Sequence, residues 1–360
     1  MNPASKESSE QATGPEPTAD EPDLHPATQE IPDSKPRSGT DPDTSGGRRL
    51  GILVENALER CRGILFKDLP RRGLSTGFKE LDDLSNGLEP GRVYVIAARP
   101  SMGKTSMLLQ ILGEVCLNQH IPSLLFTGDL AIPQVIDRLI FKRALISQWH
   151  FYDPEYAPCK GDLQRLQKSA QELAVSGLVL EEGRDLTIEA IAARAREERA
   201  KTGIGLIVID HLHCIRSEST QPGTSRKHEM TGVIRSLRNL ARELELPVLV
   251  SAQLKRRAEG RLPRIGDIRE SGAIEHEADF IGLLHKERQI ECGFDLLISK
   301  NNNGPLGSIG YLFVGDIQRF EEGLMIPGLP DVSDLSDEEQ QIARAWRDYQ
   351  NEKDFPREMA

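Results

Sequence analysis

Short apolar runs alternate with longer amphipathic ones through the middle of the chain. The runs VYVIAA (93–98), SLLFT (123–127), LVLE (178–181), LIVID (206–210) and VLVSA (248–252) predict strands. FIGLLH (280–285), DLLIS (295–299) and YLFV (311–314) predict three more. Helix-length patterns fall near 104–117, 133–146, 161–175, 187–201 and 229–244. Near-continuous apolar strands separated by amphipathic helices imply an α/β domain, its mainly parallel sheet covered on both faces. The last strands follow one another on short connections and are expected to pair antiparallel at one edge.

Outside this core the pattern changes. Leu50, Val54, Leu58 and Cys61 recur at helical spacing, with Ile52, Leu53 and Ala57 widening the face, so residues 48–63 read as one amphipathic helix. A connector containing Pro70 and Gly73 leads into the domain, taken as 64–328. Residues 1–47 hold eight prolines and almost no large apolar side chain, a composition that cannot offset its ordering entropy and is expected to stay disordered. In 329–360, Ser336 and Glu339 form a capping-box signature ahead of an Ile342, Trp346 and Tyr349 stripe, predicting one short helix in an acidic tail.

Charge sharpens this division. Lys and Arg number 45 against 56 Asp and Glu, a net charge of −11, yet residues 1–47 hold ten acids and three bases. Residues 331–360 hold nine acids and four bases, which leaves a nearly neutral middle. The net charge therefore does not exclude a locally basic nucleic-acid surface. Apolar runs are far too short to span a membrane, and no secretory signal opens the chain. The five cysteines (Cys61, Cys116, Cys159, Cys214, Cys292) form no C-x-x-C pair, and suggest reduced thiols of a cytoplasmic protein.

The candidate chemistry lies where VYVIAA runs into Ala98, Arg99, Pro100, Ser101, Met102, Gly103, Lys104, Thr105 and Ser106. This is strand, loop and helix with the G-x-x-x-x-G-K-[ST] spacing, Ala98 standing at the first glycine. Gly103 lets backbone amides turn inward as a phosphate nest at a helix N-terminus. Lys104 would neutralise β- and γ-phosphates, and Thr105 would ligate Mg²⁺. Asp210 ends a buried strand, where a carboxylate serves either as the Mg²⁺ partner or as a strand-end cap.

The chain resembles the ATPase domain of the DnaB-type replicative helicases, a RecA-like family. The resemblance covers roughly 48–325 and rests on STGFKELDDLSNGLEPG (75–91), AARPSMGKTS (97–106), LTIEAIAARAREERAKTGIGLIVIDHL (186–212), LPVLVSAQL (246–254), DIRESGAIEHEAD (267–279) and KNNNGPLG (300–307). It implies a RecA-like core assembled as a ring, by resemblance a hexamer. ATP and Mg²⁺ would bind between subunits, and single-stranded DNA would thread the centre during replication. Lys104 and Thr105 would bind phosphate and metal, Asp210 would be the metal-side carboxylate, and Gln253 would sense the γ-phosphate. The helix at 48–63 resembles the family's linker helix, which docks on a neighbouring subunit. The resemblance does not extend to the family's N-terminal helical domain, and the tail at 1–47 is expected to stand in its place.

Three positions depart from the family. Asp129 stands where the catalytic glutamate is expected, one methylene shorter; it would activate water or serve only as a turn residue. In KNNNGP, Lys300 is kept but Asn302 replaces the arginine that reaches across the interface, a group worth roughly 10³–10⁵ in related phosphoryl transfers. His211 and His213 replace an aromatic residue and a glutamine, and with no third ligand close in sequence they read as packing or hydrogen-bonding groups.

Two loops are candidates for DNA contact. One carries Arg216, Arg226 and Lys227; the other carries Lys255, Arg256, Arg257, Arg261 and Arg264. In a RecA-like ring both would face the channel and track phosphates without reading sequence. These features predict an ATP-dependent helicase or translocase. The alternative is an ATP-binding assembly protein with little or no hydrolysis.

Overall fold

The computed structural model describes residues 73–322, apart from 152, 154–159, 184–185, 219–222, 224 and 287–291, together with 50–51, 54–55 and 58. The chain divides into two units, 1–62 and 63–360. In the first, positions 50, 51, 54, 55 and 58 are helical, with Leu50, Val54 and Leu58 exposed. The expected tail at 1–47 and the expected helix after Pro330 lie outside the described residues.

Among the described residues the second unit is built on nine strands: β1 (Val93–Ala98), β2 (Ser123–Thr127), β3 (Leu178–Glu182), β4 (Leu206–Asp210), β5 (Val248–Gln253), β6 (Phe280–Lys286), β7 (Gly293–Asn301), β8 (Gly307–Val314) and β9 (Arg319–Glu322). Their order is β3-β2-β4-β5-β1-β6-β7-β8-β9, parallel as far as β6 and antiparallel from β6 to β9. The helices are α1 (Lys79–Ser85), α2 (Lys104–Gly113), α3 (Ile132–Ala144), α4 (Gln148–Phe151), α5 (Lys160–Ala174), α6 (Ile188–Thr202), α7 (Arg226–Leu244) and α8 (Ser271–Glu277). The α/β class and the antiparallel edge match the sequence pattern.

Side-chain alternation along each strand builds two cores. Val93, Val95 and Ala97 of β1 join Ile207, Ile209, Val248 and Val250 beneath the apolar faces of α6 and α7. Tyr94, Ile96 and Ala98 point the other way, against Met107, Leu108 and Ile111 of α2 and Val135 and Leu139 of α3. Because the central strands are buried on both sides, their sequences carry no polar alternation.

The order of the parallel strands sets the site. From β1 the chain skips two places to β2, and β4 and β5 fill the gap. The carboxyl ends of β2, β4, β5 and β1 therefore stand in a row, where such sheets bind ligands. Thr127 is level with Asp210, and Ala98 is level with Gln253.

Candidate nucleotide site and its basic loops

β1 is buried along its length and delivers the chain into the loop before α2. Two residues there take left-handed backbone, Ser101 at φ 62° and Gly103 at φ 78°. A Cβ on Gly103 would lie 2.6 Å from the Phe320 ring, so glycine is required by space as well as by conformation. No side chain caps α2, which leaves its first amides available to an anion. Arg99 braces the loop from behind: its Nη1 donates to the Leu254 carbonyl at 3.1 Å.

Thr105 and Asp210 meet directly, the Thr105 hydroxyl donating to Oδ2 at 2.6 Å. The Ser251 hydroxyl donates to the other oxygen, Oδ1, so the carboxylate is held from both sides. Asp210 is buried, and both of these donors are neutral hydroxyls. Burial lowers the Lys104 pKa, and the charges of Asp210 and Asp129 oppose that shift. Arg138 of α3 belongs to the same field: burial lowers its pKa and Asp210 raises it. An all-oxygen pair of hydroxyl and carboxylate suits a hard divalent cation such as Mg²⁺. The residues present therefore fit a metal-bound nucleoside phosphate.

Sequence reasoning missed Ser251 and Arg138. Ser251 had a signal, being the polar residue inside VLVSA; Arg138 sits mid-helix among other charges and had none. Gln253 ends β5 beside Ala98, and its carbonyl accepts the Arg269 amide at 3.1 Å. That bond ties the end of β5 to the segment leading into α8.

A second cluster lies beside the loop. Asp129 follows β2, and the Gly128 amide donates to the Asp210 carbonyl at 2.7 Å. His211 Nε2 is 3.4 Å from Asp129 Oδ2 and 3.3 Å from Cys214 Sγ. The structure thus supplies His211 with the neighbours that its local sequence lacks. Asp129, His211 and Cys214 bring three ligating atoms within 4.8 Å of one another. His211 Nδ1, however, accepts the His213 amide at 3.1 Å, which leaves the neutral ring's proton on Nε2. The nitrogen facing the other two groups then has no lone pair for a cation. His213 turns away: its Nε2 lies 3.2 Å from both the Arg269 carbonyl and Glu270 Oε2, and burial pushes its pKa down to about 4.

The basic loops divide into tethered and outward residues. Arg226 donates to the carbonyls of His213 and Ile215 at 2.9 and 2.8 Å and pairs with Glu229 at 2.6 Å, so it braces the first loop. Arg257 and Arg261 reach Asp267 at 3.1 and 2.8 Å, and Lys255 donates to the Gly266 carbonyl at 3.1 Å. Arg257 and Arg261 stay exposed despite that tether, as are Arg216, Lys227, Arg264 and Arg256, the last 3.9 Å from Glu259. Lys300 donates to the carbonyls of Glu275 and His276 at the end of α8, at 2.7 and 3.4 Å. Asn302 is exposed, and its Nδ2 donates to Asp279 at 3.1 Å.

A phosphate loop on the central strand, with a hydroxyl–carboxylate pair beside it, defines a P-loop nucleotide-binding core of the RecA-like kind. The family model for the DnaB-like helicase C terminal domain matches residues 73–322. The replicative DNA helicase DnaB of Leifsonia xyli subsp. xyli (strain CTCB07) is 30% identical over 282 residues, covering 76% of this chain and 61% of that protein. The replicative DNA helicase DnaB of Geobacillus stearothermophilus is 30% identical over 272 residues, covering 71% and 59%. Among solved structures, a DnaB-like replicative helicase studied for its interactions with primase aligns with a TM-score of 0.67 at 26% identity, covering 74% of this chain and 65% of that one. A separately solved ATPase domain aligns with the same TM-score and identity, covering 75% and 98%. This chain therefore belongs to the family of DnaB-like helicase C-terminal domains. It spans about three fifths of the length of the curated relatives it matches.

Proposed function

We propose that the chain is an ATP-driven motor that assembles as a ring and moves single-stranded DNA during replication, in the cytoplasm. The observation that carries this reading is the Thr105–Asp210 hydrogen bond of 2.6 Å, set beside Lys104 at the mouth of the phosphate loop. Bound Mg²⁺ would neutralise phosphate charge and orient the nucleotide. Thr105 and Asp210 would hold the metal, while Ser251 keeps the carboxylate from turning. Lys104 would place its ammonium on the terminal phosphates. Arg138 would add a second cation, and its partial burial makes that charge stronger than it would be in water. Asp129 would take the proton of the attacking water.

Coupling to DNA follows from the strand ends. Gln253 ends β5 level with the phosphate loop, and the second basic loop begins two residues later. A shift at the phosphates would thus reach Arg256 and Arg264 through one short segment. The alternative, ATP-dependent assembly without turnover, draws support from Asn302, which binds Asp279 within its own chain where the family's arginine would reach outward. Unwinding of a forked duplex with Mg²⁺ and ATP separates the two. We expect strand separation by the wild-type chain and none by Lys104→Ala. No separation by either would favour the assembly role.

A further inference from the structure

We propose that His211 is a positioning residue that holds the Asp129 carboxylate toward the attacking water. This deepens the reading of Asp129 as the water-activating group and rests on it. Asp129 follows the strand end on a loop, and its side chain is 58 % exposed. An exposed aspartate has several rotamers open to it, and a misplacement of order 1 Å can cost about a hundredfold in rate. The carboxylate of an exposed loop aspartate therefore gains from an external constraint on its direction.

The geometry supplies one. The His211 side chain is 15 % exposed and is fixed at both ring nitrogens. Nδ1 accepts the His213 amide at 3.1 Å, so the proton lies on Nε2. Nε2 has Cys214 Sγ as its hydrogen-bond neighbour at 3.3 Å and stands 3.4 Å from Asp129 Oδ2, close enough to attract that carboxylate. Cys214 also backs the ring, with Sγ 3.8 Å from Nδ1. Gly128 keeps the space for this sulfur, since a Cβ there would stand 2.9 Å from Sγ. The backbone is pinned as well, by the Gly128 amide on the Asp210 carbonyl at 2.7 Å. The carboxylate is thus tied to the β4 end through its main chain and through the imidazole. The ring tautomer, set by a backbone amide, turns an N–H rather than a lone pair toward Asp129.

The test combines steady-state kinetics with a spectroscopic readout on the full chain. His211→Leu is expected to lower kcat for ATP about tenfold to a hundredfold, leaving KM within about twofold. Asp129→Glu restores the missing methylene, so adding His211→Leu to it should cost less than about threefold in kcat. Selective ¹⁵N-histidine labelling should find His211 as the Nε2–H tautomer, with that resonance moving in Asp129→Asn and staying in place in Lys104→Ala. Wild-type turnover no greater than that of Lys104→Ala would overturn the water-activating reading and the positioning role with it. Measurable wild-type turnover that survives in His211→Leu would overturn the positioning role alone. An Nδ1–H tautomer, or equal losses in the Asp129 and Asp129→Glu backgrounds, would also overturn it.

Discussion

His213 shows how one buried side chain makes the fold sensitive to pH. It is 9 % exposed, lies against the Arg269 carbonyl, and burial brings its pKa to about 4 from the ordinary 6.5. Between those values the unfolded chain binds the proton that the folded chain refuses, so stability rises with pH. The contribution is fully present above about pH 6.5 and is lost on acidification toward 4, a loss of roughly 3 kcal/mol. Denaturant titrations at several pH values should show this slope in the wild type. The slope should disappear in His213→Gln, which removes the titrating ring. Lys104, Thr105 and Asp210 were legible in the sequence because spacing and strand context restrict them. The Asp129–His211–Cys214 cluster was not, because a loop after β2 and a turn after β4 meet only once those strands pair.

Among the elements, the central strands were legible almost to the residue: 93–98, 123–127 and 206–210 are apolar throughout or nearly so, and burial on both faces demands that composition. β9 was missed because its sequence, RFEE, offers a single large apolar residue. That residue, Phe320, is fully buried and packs on Phe313 with ring centroids 4.7 Å apart. Its main chain is clamped by Gln110 of α2, whose Nε2 donates to the Phe320 carbonyl at 2.7 Å while Oε1 accepts its amide at 2.8 Å. A glutamine on a helix carries no sequence sign of that role. Gln110→Ala removes both bonds and should cost about 1–3 kcal/mol. Hydrogen exchange should rise in β9 and stay unchanged in β4, far along the sheet. α1 and α8 were also missed, each only seven residues long, too short for a periodic pattern to stand out.

For the whole molecule, the near-neutral middle between acidic ends left the class of partner open. The fold locates the basic groups: both basic loops follow parallel strands that end at the phosphate loop's side of the sheet. Arg257 and Arg261 are drawn onto Asp267, whose pKa is held down to about 2, chiefly by the Arg261 hydrogen bond. They shape the second loop while staying exposed themselves, beside Arg256 and Arg264. Lys300 and Asn302 both donate hydrogen bonds within their own chain, and Arg138 is a further cation in the field of Asp210. On the proposed function this site turns over ATP, and DNA in the basic loops accelerates it. Steady-state ATP hydrolysis with and without single-stranded DNA, using Lys104→Ala as the blank, tests it most directly. Turnover should stand above the blank and rise when single-stranded DNA is added. ATP binding with no turnover above the blank, with or without DNA, would contradict it.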